Sequence, residues 1–128
     1  MKRTSQLKRS GFKKPINKYN AIKRSFEGNV YDSGLEVRYA QELSLRKKAK
    51  DIKGWNRQKQ VEVYVCGKLM FKYKLDFEIL HNDGTTELVE VKGFADRGFP
   101  LRWKLFTTVW SHEHPKVKTT LLKPKDIQ

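Results

Sequence analysis

Residues 69–93, LMFKYKLDFEILHNDGTTELVEVKG, decide how this chain folds. From 69 to 80 apolar and polar residues alternate with the period of a strand. Phe71, Tyr73, Leu75, Phe77 and Ile79 are expected on one face, with Lys72, Lys74, Asp76 and Glu78 opposite. Asn82-Asp83-Gly84 is a strong hairpin signal. The alternation resumes over 85–92, with Val89 and Val91 on one face and Leu88, Glu90 and Lys92 on the other. The segment therefore predicts two antiparallel strands joined by a tight turn.

Outward from this hairpin, the same reading extends both ways. KQVEVYV at 59–65 is a further strand, with Val61, Val63 and Val65 on one face, and Cys66-Gly67-Lys68 turns it into the next. Leu35, Tyr39 and Leu43, with Ala40 beside them, have helical spacing, and Arg38, Gln41, Arg46 and Lys47 suit the wet side. Asp32 or Ser33 can cap this helix, which should end near Lys50, before Gly54, with Trp55 in the connection. After a loop at 93–98, Pro100 suits a helix start. Leu101, Leu105, Thr108 and Val109 form a stripe there, widened by Trp103, Phe106 and Trp110. His112-Glu113-His114-Pro115 stops the helix, and 117–122 makes a last strand. The order is α-β-β-β-α-β. Three strands form a meander, and the fourth returns parallel through a right-handed helical crossover. The expected fold class is α/β, a mixed four-stranded sheet flanked by helices.

A chain of 128 residues is long enough for one core. With 38% hydrophobic and 12% aromatic residues it is too apolar to remain disordered. No apolar run approaches the ~20 residues that span a bilayer, and no secretory h-region follows the charged start. Cys66 is the one cysteine, which excludes a disulfide framework and a cysteine zinc site and points to a reducing cytosol. Lys and Arg number 28 against 14 Asp and Glu, a net charge of +14. That surplus favours a polyanion, with nucleic acid ahead of an anionic membrane because no amphipathic Lys/Trp helix serves the latter. Residues 1–26 carry Lys2, Arg3, Lys8, Arg9, Lys13 and Lys14 among their cations and no acid. They read as a basic N-terminal arm for nucleic acid, ahead of a single domain at 27–128.

The chemistry concentrates at two strand ends. A hairpin pairing residue 76 with residue 90 is centred on residue 83, inside the Asn82-Asp83-Gly84 turn. Asp76 and Glu90 are then cross-strand neighbours, and Lys92 shares a strand face with Glu90. Two close carboxylates repel unless a cation intervenes. Mg²⁺ takes such oxygens while keeping several waters, and a bound divalent ion can polarise a phosphoryl oxygen and acidify water. A neighbouring lysine can orient that water or stabilise developing negative charge. Glu36, in the first turn of the first helix, is a third carboxylate within reach of the strand ends. Arg97, Arg102 and Lys104 follow close behind and could hold phosphates.

Each feature has a plainer explanation. Ser33-x-x-Glu36 is a capping box. Asp76 could pair with Lys92 or Lys74, and a register slip would exchange it with Glu78. His112 and His114 lack companion ligands and suit a solvated loop. The aromatic stripe of the second helix suits a core, Arg97, Arg102 and Lys104 suit a solvated face, and Gln58 suits the start of a strand.

Taken together, YDSGLE at 31–36, Asp76-Phe77 and VEVKG at 89–93 resemble the PD-(D/E)XK nuclease superfamily in order, spacing and predicted elements. The segment is similar to small phage endonucleases, including the phage endonuclease I type of Holliday junction resolvase. KDIKGWNRQ and RWKLF look closer still to a family of uncharacterised phage proteins with the same core. The resemblance spans about 30–122 and departs from the name-giving motif at Leu75, where a proline often precedes the aspartate. It implies a restriction-endonuclease-like core and a DNA endonuclease dependent on Mg²⁺ or Mn²⁺. Glu36, Asp76 and Glu90 would be metal-site acids, the Val91 carbonyl a further ligand, and Lys92 the catalytic lysine. The resemblance further implies a branched-DNA, Holliday junction resolvase acting as a homodimer in the cytoplasm of a phage-infected host, and the small size and the charge, which suits backbone contacts, agree with it. A nicking, restriction-like or repair nuclease, and a non-catalytic nucleic-acid-binding module, are the alternatives.

Overall fold

The computed structural model describes residues 24–26, 29–31 and 33–127. Lys2, Arg3, Lys8, Arg9, Lys13 and Lys14 of the basic arm, and the alternative cap Asp32, lie outside the described residues. Two short strands come first, β1 (Arg24–Phe26) and β2 (Asn29–Tyr31), paired antiparallel. β1 falls within the stretch read as the end of the arm, and Phe26 packs against the core.

Helix α1 (Gly34–Lys48) starts where its cap dictates. The Ser33 hydroxyl accepts the Glu36 N–H at 3.2 Å, satisfying one of the first-turn donors. Val37, Tyr39, Ala40 and Leu43 are its buried face. Arg46, Lys47 and Lys48 fill the last turn, where their charge meets the negative end of the helix dipole.

A four-stranded sheet follows, ordered β3 (Gly54–Val65), β4 (Lys68–Leu80), β5 (Thr86–Val91), β6 (Val117–Leu122). β3, β4 and β5 are antiparallel neighbours, and β6 returns parallel to β5. Between β5 and β6 runs α2 (Phe99–Leu105), which continues through a π-helical segment, Phe106–Trp110, and a last α-turn, Ser111–Glu113. The sheet and its helices thus have the expected order, α-β-β-β-α-β. β3 begins earlier than its alternation shows and takes Trp55 into the sheet, opposite Ile79.

Two cores form on opposite faces of β5, because successive strand residues point to opposite sides. Val89 and Val91 join Val37, Tyr39, Ala40, Leu43, Phe77 and Ile79 under α1. Leu88 joins Val61, Val63, Tyr73, Leu75 and Phe106 under the second helix. Each core holds fully buried large side chains, such as Leu43 and Phe106, whose truncation to Ala costs about 2–5 kcal/mol.

Four expectations are corrected. The apolar run of β4 does not share one face: Phe77 and Ile79 lie in one core, Tyr73 and Leu75 in the other. The change occurs at Asp76, where the β3–β4 ladder skips from Arg57↔Phe77 to Lys59↔Leu75. Gln58 stands opposite with φ 57, a left-handed conformation that breaks the alternation, so it is a mid-strand residue rather than a strand start. Val65 is 36% exposed instead of buried with Val61 and Val63, because the register shifts between Val63 and Tyr64. On the second helix Leu101 is 63% exposed. Phe99, Trp103, Phe106 and Trp110 follow at the 4-3-4 spacing of one helical face and pack ring against ring, which leaves Leu101 on the outward side.

Candidate active site

The β4–β5 pairs run from Leu80↔Thr86 to Phe77↔Val89. One step further, the same register sets Asp76 opposite Glu90, as the hairpin arithmetic requires. The backbone ladder stops there. Asp76 Oδ2 instead accepts the Val91 N–H at 2.7 Å, so a side chain replaces the strand–strand hydrogen bond and fixes the carboxylate. Asp76 therefore occupies a position where the ladder opens towards both neighbouring strands.

Glu90 is 5% exposed. Its Oε2 lies 3.2 Å from Lys92 Nζ, and its Oε1 is buried with no hydrogen-bond partner among the described residues. Burial first, then the charge of Asp76, pushes its carboxyl up to about 7, against the pull of Lys92. Lys92 is held at both ends. Its backbone N–H donates to Leu122 O at 2.9 Å, and its ammonium lies 4.6 Å from the Phe99 ring centroid.

Tyr73 belongs to the same neighbourhood and was read from sequence only as core. Its hydroxyl is buried and has no partner among the described residues. Burial and then Glu90's charge push its pKa up, so it stays a neutral donor. A tyrosine in an apolar series carries a polar tip that burial obliges to find a partner, and that was the available signal.

Glu36 stands on the first turn of α1, which lies against the strand end. A Cβ at Gly93 would come within 2.9 Å of Leu35 Cδ1, so the helix start approaches the strand end closely directly after Lys92, and a larger residue there would displace the Leu35 side chain. The Glu36 carboxylate accepts the Ser33 hydroxyl at 3.4 Å, and the same hydroxyl accepts the Glu36 N–H, so the cap is the Ser33 half of a capping box. Among the described residues no three His, Cys, Asp or Glu side chains gather as a metal cluster, so Glu36 is not drawn into one with Asp76 and Glu90. The pair itself suits a hard divalent ion. Mg²⁺ is commonly held by one or two carboxylates and completes its shell with water and phosphate. The orphaned oxygen of Glu90 and its repulsion by Asp76 are what such an ion would relieve.

The surrounding cations divide. Arg102 Nη2 is tied to Asp96 at 3.2 Å and braces the loop, whereas Arg97 and Lys104 are exposed. The His112/His114 pair does not form a ligand set. The His114 ring stacks on Trp110 at 3.9 Å, and its Nδ1 lies 2.8 Å from the Trp110 carbonyl.

The sequence matches the model of a family of proteins of unknown function, DUF1064, over residues 16–125. The chain belongs to this family. The match takes in every element that builds the site of this DUF1064 protein, from the α1 cap to β6. No curated protein matches it. Among the described residues no helix is long and apolar enough to cross a membrane.

Proposed function

We propose that this DUF1064 protein is a metal-dependent, structure-selective DNA endonuclease that resolves branched DNA such as a Holliday junction. The observation that carries the reading is the juxtaposition of Asp76, Glu90 and Lys92 at two adjoining strand ends, with one buried Glu90 oxygen lacking a partner. Phosphodiester hydrolysis needs water to attack phosphorus, a P–O ester bond to break, and the leaving oxygen to gain a proton. Asp76, held by the Val91 N–H, and Glu90 would carry Mg²⁺ or Mn²⁺, with the Val91 carbonyl as a further ligand. The chemistry such an ion supplies when bound is neutralisation of the phosphate oxygens and acidification of water. Lys92 sets a positive charge beside the carboxylates, where it orients the attacking water and stabilises charge developing on the phosphate. Glu36, which does not gather with Asp76 and Glu90 among the described residues, would act from the first turn of α1 through an outer-shell water. Arg97, Lys104 and the arm cations contact the DNA backbone, which reads shape more than sequence.

Resolution requires two symmetric cuts, which a two-fold homodimer supplies. The test is cleavage of a four-way junction against a linear duplex of the same arms, with Mg²⁺ and with chelator. Junction cutting that chelator abolishes is the expected result. Equal cutting of both substrates removes the branch selectivity, and full activity in chelator removes the metal mechanism. Deleting residues 1–18 should flatten the slope of log affinity against log salt by about 0.9 for each phosphate that the arm neutralises, while cleavage at saturating protein persists.

A further inference from the structure

A pocket of about 480 Å³ opens beside Lys92. Phe99, Trp103, Leu121 and Pro124 wall it, and Lys92 and Lys123 supply its cationic groups. Phe99 and Trp103 are one helical turn apart on α2, with ring centroids 6.1 Å apart and planes 24° from parallel. The volume lies within the roughly 300–1,000 Å³ typical of small-ligand sites. Flat apolar walls with positive charge beside them match one chemistry closely: a planar heteroaromatic ring carried on a phosphate chain. Lys92 joins the two places. It lines the pocket and sits 3.2 Å from Glu90. Lys92 thus borders both the carboxylates and the pocket, and the net charge of +14 favours a polyanion as the ligand that spans them.

We propose that this pocket receives one unpaired nucleobase of the bound strand, next to the phosphate to be cut. The inference rests on the nuclease reading and names what that site selects. A base inside continuous duplex must leave its stack and its partner before it can enter, whereas a base at a branch or gap is already free to do so. Preference for branched or gapped DNA then arises at the site itself.

The experiment uses the full chain in chelator, where cutting is blocked. Gapped duplex carrying 2-aminopurine opposite no partner is compared with fully paired duplex carrying it at the same place. Saturating protein should quench 2-aminopurine in the gap and leave the paired probe unchanged. Ala95, an exposed pocket residue, is then replaced by Trp to fill the space without touching either core. Ala95→Trp should abolish the quench and lower the ratio of gapped to duplex affinity by about 5- to 150-fold, the effect of losing one stacked base. Absence of quenching at saturation overturns the proposal. So does an unchanged affinity ratio in Ala95→Trp, which would mean that another ligand or another part of the chain uses the pocket. Cleavage of the same gapped DNA in Mg²⁺ separates the two readings. Cutting without quenching retains the nuclease and rejects the base pocket, whereas quenching without cutting retains the pocket and rejects the nuclease.

Discussion

β5 carries two buried glutamates with opposite circumstances. Glu87 and Glu90 are 8% and 5% exposed. Glu87 is fully provided for: the Thr120 hydroxyl donates to one oxygen at 2.6 Å, and His81 Nε2 lies 2.9 Å from the other. An ionised carboxylate only accepts, so that imidazole nitrogen is the donor. Burial pushes the Glu87 carboxyl up, but the hydrogen bonds from Thr120 and His81 and the charge of Lys118 outweigh it, leaving the carboxyl below its ordinary value. Glu90 has an acid as its cross-strand neighbour, an orphaned oxygen and a carboxyl pushed up to about 7. The first arrangement stabilises a fold. The second stores an unmet electrostatic demand where a ligand can meet it.

Substitution breaks this contrast most sharply. Glu90→Gln, Asp76→Asn and Lys92→Ala should each lower cleavage by orders of magnitude while the protein stays folded and binds DNA. Glu87→Gln should do the reverse, keeping cleavage but losing about 1–3 kcal/mol of stability as one of its two partners meets an NH2 group in place of an acceptor. Junction cleavage and urea unfolding of the same four variants check both halves. A Glu90→Gln variant that cuts normally would end the catalytic reading.

Acidity sharpens the contrast next. Glu90's folded value, about 7, lies above its ordinary 4.5, so the native state keeps a proton that the unfolded state releases. Its contribution to stability is fully present below 4.5 and is lost as pH rises through about 7, at up to about 1.4 kcal/mol per pH unit. Glu87 is lowered, so its contribution is present above the ordinary carboxylate value and is lost as pH falls through its folded one. Chelated protein should therefore melt at falling temperature between pH 5 and 8 relative to Glu90→Gln. Saturating Mg²⁺ should remove that difference. Identical pH profiles for the two proteins would contradict the raised carboxyl.

Sequence alone could not separate these glutamates. The strand pattern and the turn centred on residue 83 were sufficient to set Asp76 against Glu90, because hairpin register is local arithmetic. Glu87's partners were not legible, since Thr120 arrives through a parallel crossover and His81 from across the turn. Tyr73's unsatisfied hydroxyl depends on how β4 changes cores, which has no period to read, whereas the core role of Trp103 was legible in the stripe. Glu36 keeps two roles on one side chain, and a capping residue costs about 1 kcal/mol. A folded but inactive Glu36→Gln would assign it to the chemistry, and a folded, fully active one would leave it as a cap.

The smallest expected effect probes why Asp76 is available to face Glu90 at all. Gln58 holds φ 57 in mid-strand without the glycine that usually occupies such a conformation. Left-handed backbone at a non-glycine residue costs of order 1 kcal/mol, and β-branching raises the cost. Gln58→Gly relieves that strain but adds chain entropy to the unfolded state, so its stability should stay within about 1 kcal/mol of wild type. Gln58→Val should lose about 1–3 kcal/mol or force the strand back to regular alternation. Regular alternation would move Leu75 out of its core and close the gap in the ladder beside Asp76. Val should therefore reduce divalent-ion affinity, read by the shift in melting temperature on adding Mg²⁺, whereas Gly should preserve it. If Val and Gly bind the ion equally well, the left-handed turn at Gln58 is incidental, and the opening at Asp76 is set by β5 alone.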